Sequence, residues 1–161
     1  MLNRVRLYIR NGRIQDADAI ARKHTNARPE NLDHRVATLE VMLARNQYRD
    51  VIPKAKRILR RDERNVGAMI AMAKANFAME RYELTKWILG RASELAPERA
   101  EIPYLSGLVA MNNEEQGKAT EDMRKALEYN PQFAEAHNNL GLLYQTAGDL
   151  ESAAEQFRKA I

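Results

Sequence analysis

The sequence contains no cysteine and little glycine, proline or aromatic residue. Without cysteine the chain has no disulfide, cysteine-ligated zinc, iron–sulfur cluster or thiol nucleophile. Seven glycines and five prolines among 161 residues leave room for helices joined by short turns. No run approaches the roughly 20 apolar residues of a membrane span. What is present, 45% hydrophobic and 30% charged residues, is the composition of a folded chain.

The charge is unevenly distributed along the chain. Residues 1–65 carry 16 Lys and Arg against 8 Asp and Glu, whereas residues 66–161 carry 10 against 14. The two segments therefore have net charges of +8 and −4, within a total of +4. A difference in net charge between two parts of a chain is informative about binding partners or self-association, but it does not indicate the fold.

A period of 34 residues runs through the whole chain without insertion or deletion. Pro29, Pro97 and Pro131 are separated by multiples of this period. A repeat of this length is typical of stacked pairs of helices. Three further sets recur at the same spacing: Ala17, Val51, Thr85, Ala119 and Ala153; Ala21, Ala55, Leu89, Met123 and Phe157; and Val5, Leu39, Ala73, Gly107 and Gly141.

These columns predict five repeats, each made of two antiparallel helices. Small residues mark places where two helices cross closely, because a bulky side chain would hold their axes apart. The predicted turns within the hairpins are Gly12, Asn46–Gln47, Glu80–Arg81, Asn112–Asn113 and Gly148–Asp149. The predicted helices are 1–11, 15–27, 33–45, 49–61, 67–79, 83–96, 101–112, 117–129, 134–146 and 151–160.

We expect one all-α domain over residues 1–161, a right-handed superhelical solenoid of about five hairpins. No linker or low-complexity tract interrupts the period. The first and last repeats are incomplete in this frame. The repeats span residues 1–31, 32–65, 66–99, 100–133 and 134–161.

The last repeat resembles the tetratricopeptide repeat. The resemblance is carried by Ala134–Tyr144, Gly148–Ala154 and Phe157–Ala160, with His137 where that family most often has tryptophan. The first three repeats depart from the pattern, and Arg35 replaces the usual aromatic residue in the second. The resemblance implies a right-handed superhelix whose inner surface, built from the first helix of each hairpin, binds protein segments.

Three segments also resemble tetratricopeptide lipoproteins of the deltaproteobacterial gliding-motility machinery. They are Arg61–Val66, Arg81–Leu84 and His137–Gly141. The lipidated cysteine of those proteins is absent here. This resemblance implies a bacterial protein in a periplasmic or cell-envelope assembly, with a cytoplasmic location as the alternative.

No arrangement of residues points to catalysis, to a cofactor or to a metal. His24, His34 and His137 are not spaced three or four residues apart, as two ligands on one helix face would be. Gly117–Lys118 lacks the upstream glycine of a phosphate-binding loop. Nothing brings a nucleophile, a base and an orienting group together. We therefore expect a protein that is not an enzyme and has no cofactor.

The inner-facing positions that the resemblance implies form a largely apolar groove with charged edges. Such a surface is typical of peptide or helix docking. The alternative is that the same side chains simply pack between hairpins. The predicted groove residues are Val36, Glu40, Ile70, Lys74, Phe77, Tyr104, Leu108, Met111, Asn138 and Leu142.

Lys54, Arg57, Arg61 and Arg64 form the densest charged run and are spaced three or four residues apart, as on one helix face. They could be a solvated outer face, or contact an acidic protein or an anionic membrane surface. Nucleic acid is disfavoured, because no aromatic residues are interleaved for stacking.

We expect an adaptor or scaffold that binds a protein or peptide segment in the groove. The alternative is a structural module that assembles with its own copies, through its opposite charges or through uncapped ends. The repeat frame is cut at both ends, and Phe157 and Ile161 leave an apolar end face. Solenoids need capped ends, so we expect either a longer natural protein or a homo-oligomer.

Overall fold

The computed structural model describes all residues from 1 to 161, and it contains ten α-helices and no strand. Every helix boundary lies within two residues of its predicted position. The predicted all-α class is confirmed, whereas the right-handed superhelix stays a prediction. No helix combines the length and the apolar character needed to cross a bilayer. The helices are α1 Leu2–Arg10, α2 Ile14–Ala27, α3 Leu32–Ala44, α4 Tyr48–Leu59, α5 Val66–Ala78, α6 Tyr82–Leu95, α7 Glu101–Asn112, α8 Gln116–Tyr129, α9 Ala134–Thr146 and α10 Leu150–Lys159.

The chain forms two compact units, Met1–Ile88 and Leu89–Ile161, and the division falls inside α6. In unit 1, α1 packs on α2 and α3, and α3 packs on α4 and α5. In unit 2, α7 packs on α8, α8 on α9, and α9 on α10. Within each unit, short connections favour antiparallel packing of the consecutive helices that are in contact. The assignment of residues 1–161 to one domain stays a prediction.

Each unit has a core in which small residues allow helices to approach closely. In unit 1, Ala17 and Ala21 of α2 are fully buried against Val5 of α1. In unit 2, Ala119 and Met123 of α8 are fully buried in a cluster with residues of α7 and α9. All five members of the column that begins at Ala17 are at most 3% exposed. This burial agrees with the close crossings that the sequence predicts there.

A residue with left-handed backbone conformation follows the first helix of every hairpin. These residues have φ between 58° and 83°, and the residue after each donates its N–H to the carbonyl five residues earlier. This bond closes the helix end by satisfying a carbonyl that has no partner in the helix. Glu114, and not the predicted Asn112–Asn113, occupies the position in the fourth hairpin, since α7 continues to Asn112. The five residues are Gly12, Asn46, Glu80, Glu114 and Gly148.

Three asparagine or aspartate side chains cap the N-termini of helices. Asn31 accepts from the N–H of His34, and Asn65 accepts from that of Ala68, at 3.1 and 3.0 Å. Asp149 accepts from the N–H of Ser152 at 3.1 Å, and hydrogen bonds from the side chain and then the backbone of Ser152 lower the pKa of Asp149. These caps fix where α3, α5 and α10 begin.

We expect Glu114→Gly to stabilise the protein by about 0.5–1 kcal/mol, because a side chain in the left-handed region costs roughly 1–2 kcal/mol and glycine avoids most of this. Urea unfolding followed by circular dichroism measures the change. Glu114→Ala is the control, since it removes the carboxylate but keeps the Cβ atom. A similar gain from Glu114→Ala would show that backbone strain is not the cause.

Candidate functional site

In unit 2, the predicted groove residues lie on one side of α7 and α9. Tyr104, Leu108 and Met111 are spaced four and three residues apart, which places them on one face of α7. They are half-buried and pack partly against the core of the unit. On α9, Asn138 is exposed and Leu142 is 41% exposed. We call this face, defined by these five residues, the first-helix surface of unit 2.

Tyr104 is held in place at the edge of an open cleft. Its ring lies 4.7 Å from that of Phe133 between centroids, and its hydroxyl accepts a hydrogen bond of 3.3 Å from Asn139 Nδ2. Burial raises the pKa of Tyr104, and the nearby charge of Glu135 adds to this, so the hydroxyl stays protonated. The cleft has a volume of about 590 Å³. It is lined by Tyr104, Ala134, Glu135, Asn138, Asn139, Phe157, Ala160 and Ile161.

In unit 1, two of the predicted groove residues are not accessible. Val36 is 2% exposed and Ile70 is fully buried. Val36 is covered because α5 approaches it closely: a Cβ atom on Gly67 would lie 3.0 Å from Val36 Cγ1. Ile70 belongs to a helix that is apolar on nearly all sides, and such helices are enclosed by their neighbours. Their predicted place on an open groove is therefore corrected to a place in the protein interior.

Glu40 and Lys74, both predicted at the groove edge, form an ion-paired ladder with Arg6. The three residues are 34 positions apart, on α1, α3 and α5. Arg6 Nη2 lies 2.7 Å from Glu40 Oε1, and Lys74 Nζ lies 3.4 Å from Glu40 Oε2. Glu40 is 7% exposed. Burial alone would raise the pKa of Glu40, but Lys74 and Arg6 outweigh it and hold that pKa below the ordinary value.

Phe77 is half-buried at the end of α5, and its ring lies 5.6 Å from that of Tyr82 between centroids. Tyr82 is the first residue of α6, so this contact spans the turn of the third hairpin. Phe77 is therefore fixed by its own hairpin, and only part of its ring is available to a partner.

The basic run does not form a single helix face. Helix α4 ends at Leu59, so Lys54 and Arg57 lie on the helix while Arg61 and Arg64 lie in the turn beyond it. In the turn that follows, Asp62 Oδ1 accepts a hydrogen bond from the N–H of Arg64. Arg61 and Arg64 are exposed, but the predicted common face is corrected to Lys54 and Arg57 alone.

The structure brings together two histidines that sequence spacing keeps apart. The rings of His24 and His34 are 5.3 Å apart between centroids, and His34 Nδ1 lies 3.0 Å from the carbonyl oxygen of His24. Burial and the neighbouring His34 lower the pKa of His24. No third histidine or carboxylate joins them into a group that could hold a metal ion.

The comparisons with known proteins agree with the repeat frame. The family described as TPR repeat matches residues 107–148. The thermophilic TPR protein TTC0263 of Thermus thermophilus has 21% identity and a TM-score of 0.85, over 99% of this chain and 87% of that chain. A crystal structure of MamA has 25% identity and a TM-score of 0.66, over 95% of this chain and 90% of that chain. PilF of Pseudomonas aeruginosa has 20% identity and a TM-score of 0.72, over 99% of this chain and 72% of that chain. No curated protein matches the sequence.

Proposed function

Because the chain is a tetratricopeptide-repeat protein, we propose that it is a non-catalytic scaffold that holds a segment of a partner protein against the first-helix surface of unit 2. One observation supports this choice of surface. Leu142 of α9 stays 41% exposed, and Tyr104, Leu108 and Met111 of α7 are only half-buried, in a chain that buries most of its other apolar side chains. Accessible apolar side chains beside a cleft are what a docking segment needs.

Unit 1 offers less apolar surface at the matching positions. Val36 and Ile70 are buried, and Glu40 replaces the leucine that stands at 108 and 142 in the same register. Lys74 and Arg6 are engaged with Glu40. Phe77 is the remaining apolar groove residue of this unit, and we propose that its accessible part also contacts the partner.

We expect Leu142→Glu to abolish partner capture with no loss of stability, because it places a charge on the docking surface at a position already in contact with water. The measurement is affinity capture from an extract of the source organism, followed by quantitative mass spectrometry. Leu150→Glu is the matched control, since Leu150 is 67% exposed in the same hairpin but lies on α10. The same set of captured proteins from both variants would contradict the proposal.

Self-assembly is the second candidate, and the charge distribution favours it. Unit 1 carries 19 Lys and Arg against 10 Asp and Glu, whereas unit 2 carries 7 against 12. Net charges of +9 and −5 attract copies of the chain to one another, and salt weakens this attraction. Sedimentation at low and high salt separates the two functions, because a scaffold for another protein stays monomeric in both.

We also propose that the protein works in a cell-envelope or motility assembly and is located in the periplasm. This proposal rests on the resemblance of three segments to gliding-motility lipoproteins, namely Arg61–Val66, Arg81–Leu84 and His137–Gly141. Cell fractionation with an antibody to the chain tests the location. A wholly cytoplasmic signal would remove this part of the proposal and leave the scaffold function in place.

A further inference from the structure

A cavity with a cationic mouth lies between α3 and α4 of the second hairpin and is closed on one side by Thr25 of α2, on a different face of α3 from the predicted groove positions. Its volume is about 190 Å³, and its wall is chiefly apolar. Leu39 and Ile58 form a buried floor, while Arg35, Lys54 and Arg57 bring positive charge to the opening. We call it the α3–α4 cavity. It is lined by Thr25, Arg35, Thr38, Leu39, Lys54, Arg57 and Ile58.

The polar groups of the wall are already satisfied, but the cations are not neutralised. The hydroxyls of Thr25 and Thr38 both donate to the carbonyl of His34 at 3.2 Å. Arg35 Nε donates to the carbonyl of Pro29 at 2.7 Å, which fixes its guanidinium. No carboxylate of the chain lies within ion-pair distance of Arg35, Lys54 or Arg57. The cavity thus combines an apolar floor with unpaired positive charge.

The last hairpin shows what the same positions do when they have only a structural role. In the 34-residue register, Arg35 corresponds to His137 and Lys54 corresponds to Gln156. His137 Nδ1 lies 2.8 Å from Gln156 Oε1, and Nε2 lies 3.0 Å from the carbonyl oxygen of Pro131, so both ring nitrogens are in hydrogen-bond contact. Pro131 corresponds to Pro29, so the backbone contact is the same in both hairpins.

The second hairpin therefore carries an arginine and a lysine where the last hairpin has a hydrogen-bonded histidine–glutamine pair. Two like charges at neighbouring positions repel each other, and near a protein surface this costs free energy. Thr38 also stands where the last hairpin has Leu140, which leaves space above Leu39 and Ile58. Both departures, charge and space, suit a bound molecule and not the packing of the hairpin itself.

We propose that the α3–α4 cavity binds an acidic peptide segment, with one apolar side chain on Leu39 and Ile58 and flanking carboxylates on Arg35, Lys54 and Arg57. Lys54 and Arg57 are neighbours on α4, about 5–6 Å apart at Cβ. In an extended peptide, the residues two before and two after the apolar residue share its face and lie about 7 Å from it along the chain, which long basic side chains can match. The net charge of +9 on unit 1 attracts such a segment.

Two other occupants fit less well. A bare phosphate would find no free hydroxyl donor in the cavity, since both threonines bond to His34. An anionic membrane surface would meet the exposed cations of α4 but leave the apolar floor empty. The proposed site is separate from the first-helix surface of unit 2, so neither proposal depends on the other.

The binding test uses the full chain and a fluorescein-labelled probe, Gly-Glu-Asp-Leu-Asp-Glu-Gly, followed by fluorescence anisotropy. Two control peptides replace the leucine by serine or the four acidic residues by their amides. We expect saturable binding of the probe, and binding about tenfold weaker for each control, which corresponds to roughly 1.4 kcal/mol. Absence of saturable binding, or equal binding of the serine peptide, would overturn the proposal.

Variants of the protein locate the site. Arg35→His with Lys54→Gln rebuilds the pair of the last hairpin and should weaken probe binding about tenfold while keeping the fold. Lys56→Gln with Arg60→Gln removes two exposed charges of the same segment that do not line the cavity, and it should weaken probe binding less than about threefold. Equal weakening in both double variants would show non-specific charge attraction and refute the cavity.

Two further measurements cover the remaining outcomes. Thr38→Leu fills the cavity and keeps every charge, so it should weaken probe binding about tenfold even if the charge variant does not fold. Binding to phosphatidylserine vesicles that needs Arg35 and Lys54, with no binding of the probe, would replace the peptide by a membrane and overturn the proposal. Leu142→Glu should leave probe binding unchanged, which separates this test from that of the scaffold function.

Discussion

Glu40→Leu is expected to destabilise the protein by about 2–3 kcal/mol, although the new side chain is apolar and the position is buried. The reason lies in the two cations that would remain. Arg6 and Lys74 both contact Glu40, and each keeps only 31% of its side chain exposed. Removing the carboxylate takes away the negative charge that both of these partly buried cations contact. Urea unfolding measures the loss, and hydrogen exchange should place it in α1, α3 and α5 of unit 1.

Replacing all three residues by leucine is the matched control for this prediction. Leu108 and Leu142 occupy the same register in unit 2, so leucine fits this column of the repeat. Exchange of a whole buried ionic group for apolar residues is often neutral, so the triple variant should lie within about 1 kcal/mol of the parent. If the triple variant were as unstable as Glu40→Leu, loss of the carboxylate charge beside the two cations would not be the cause.

The same ladder predicts a dependence of stability on pH. The pKa of Glu40 is lower in the folded chain than its ordinary value of 4.5. Its contribution is therefore complete above about pH 4.5 and is lost as the pH falls through the lowered pKa. The parent should lose more stability than the triple-leucine variant between neutral and acid pH. Parallel acid titrations of the two proteins would contradict this.

Gly141→Leu is expected to destabilise unit 2 by about 2 kcal/mol, the net of overpacking and of better helix propensity. A Cβ atom at Gly141 would lie 2.6 Å from Cε1 and 2.7 Å from Cδ1 of Phe157. The ring belongs to α10 and lies directly over the glycine, so a leucine there must displace it. Urea unfolding followed by circular dichroism measures the effect.

The second hairpin supplies the compensating change. Leu39 and Ala55 occupy the register of Gly141 and Phe157, with the large and small residues exchanged, and both are buried. Phe157→Ala alone should also cost about 2 kcal/mol, since the ring is only partly buried. The double variant should lie within about 1 kcal/mol of the parent, which is a coupling of about 3 kcal/mol. Additive losses would contradict the pairing.

The 34-residue period sufficed to predict the helices, because equivalent positions in a repeat must make equivalent turns and crossings. Gly141 and Phe157 both belong to columns of the repeat, but the sequence does not show that their side chains meet. The structure places the Phe157 ring against Gly141, which explains why the large and small residues are exchanged at Leu39 and Ala55. Periodicity states which positions correspond. It does not state which side chains at those positions touch.

The depth of the groove residues could not be read from the period. The resemblance placed Val36 on the inner surface, but its burial depends on how closely Gly67 allows α5 to approach. The ion-paired ladder is visible in the sequence as a pattern, because Arg6, Glu40 and Lys74 alternate in charge at 34-residue intervals. Arg35 had also stood out as a replacement for an aromatic residue. The role proposed for Arg35 could be inferred only by comparison with the His137–Gln156 pair at the same positions of the last hairpin.

The left-handed residue that closes the first helix of each hairpin also limits how the length of this protein can change during evolution. A single inserted residue rotates the rest of its helix by about 100° and turns its apolar face toward water. Loss of residues 47–80 instead joins Asn46 to Arg81, so that a left-handed residue is again followed by the start of a second helix. Whole repeats can be gained or lost by recombination, and the chain is expected to vary among relatives in steps of 34 residues.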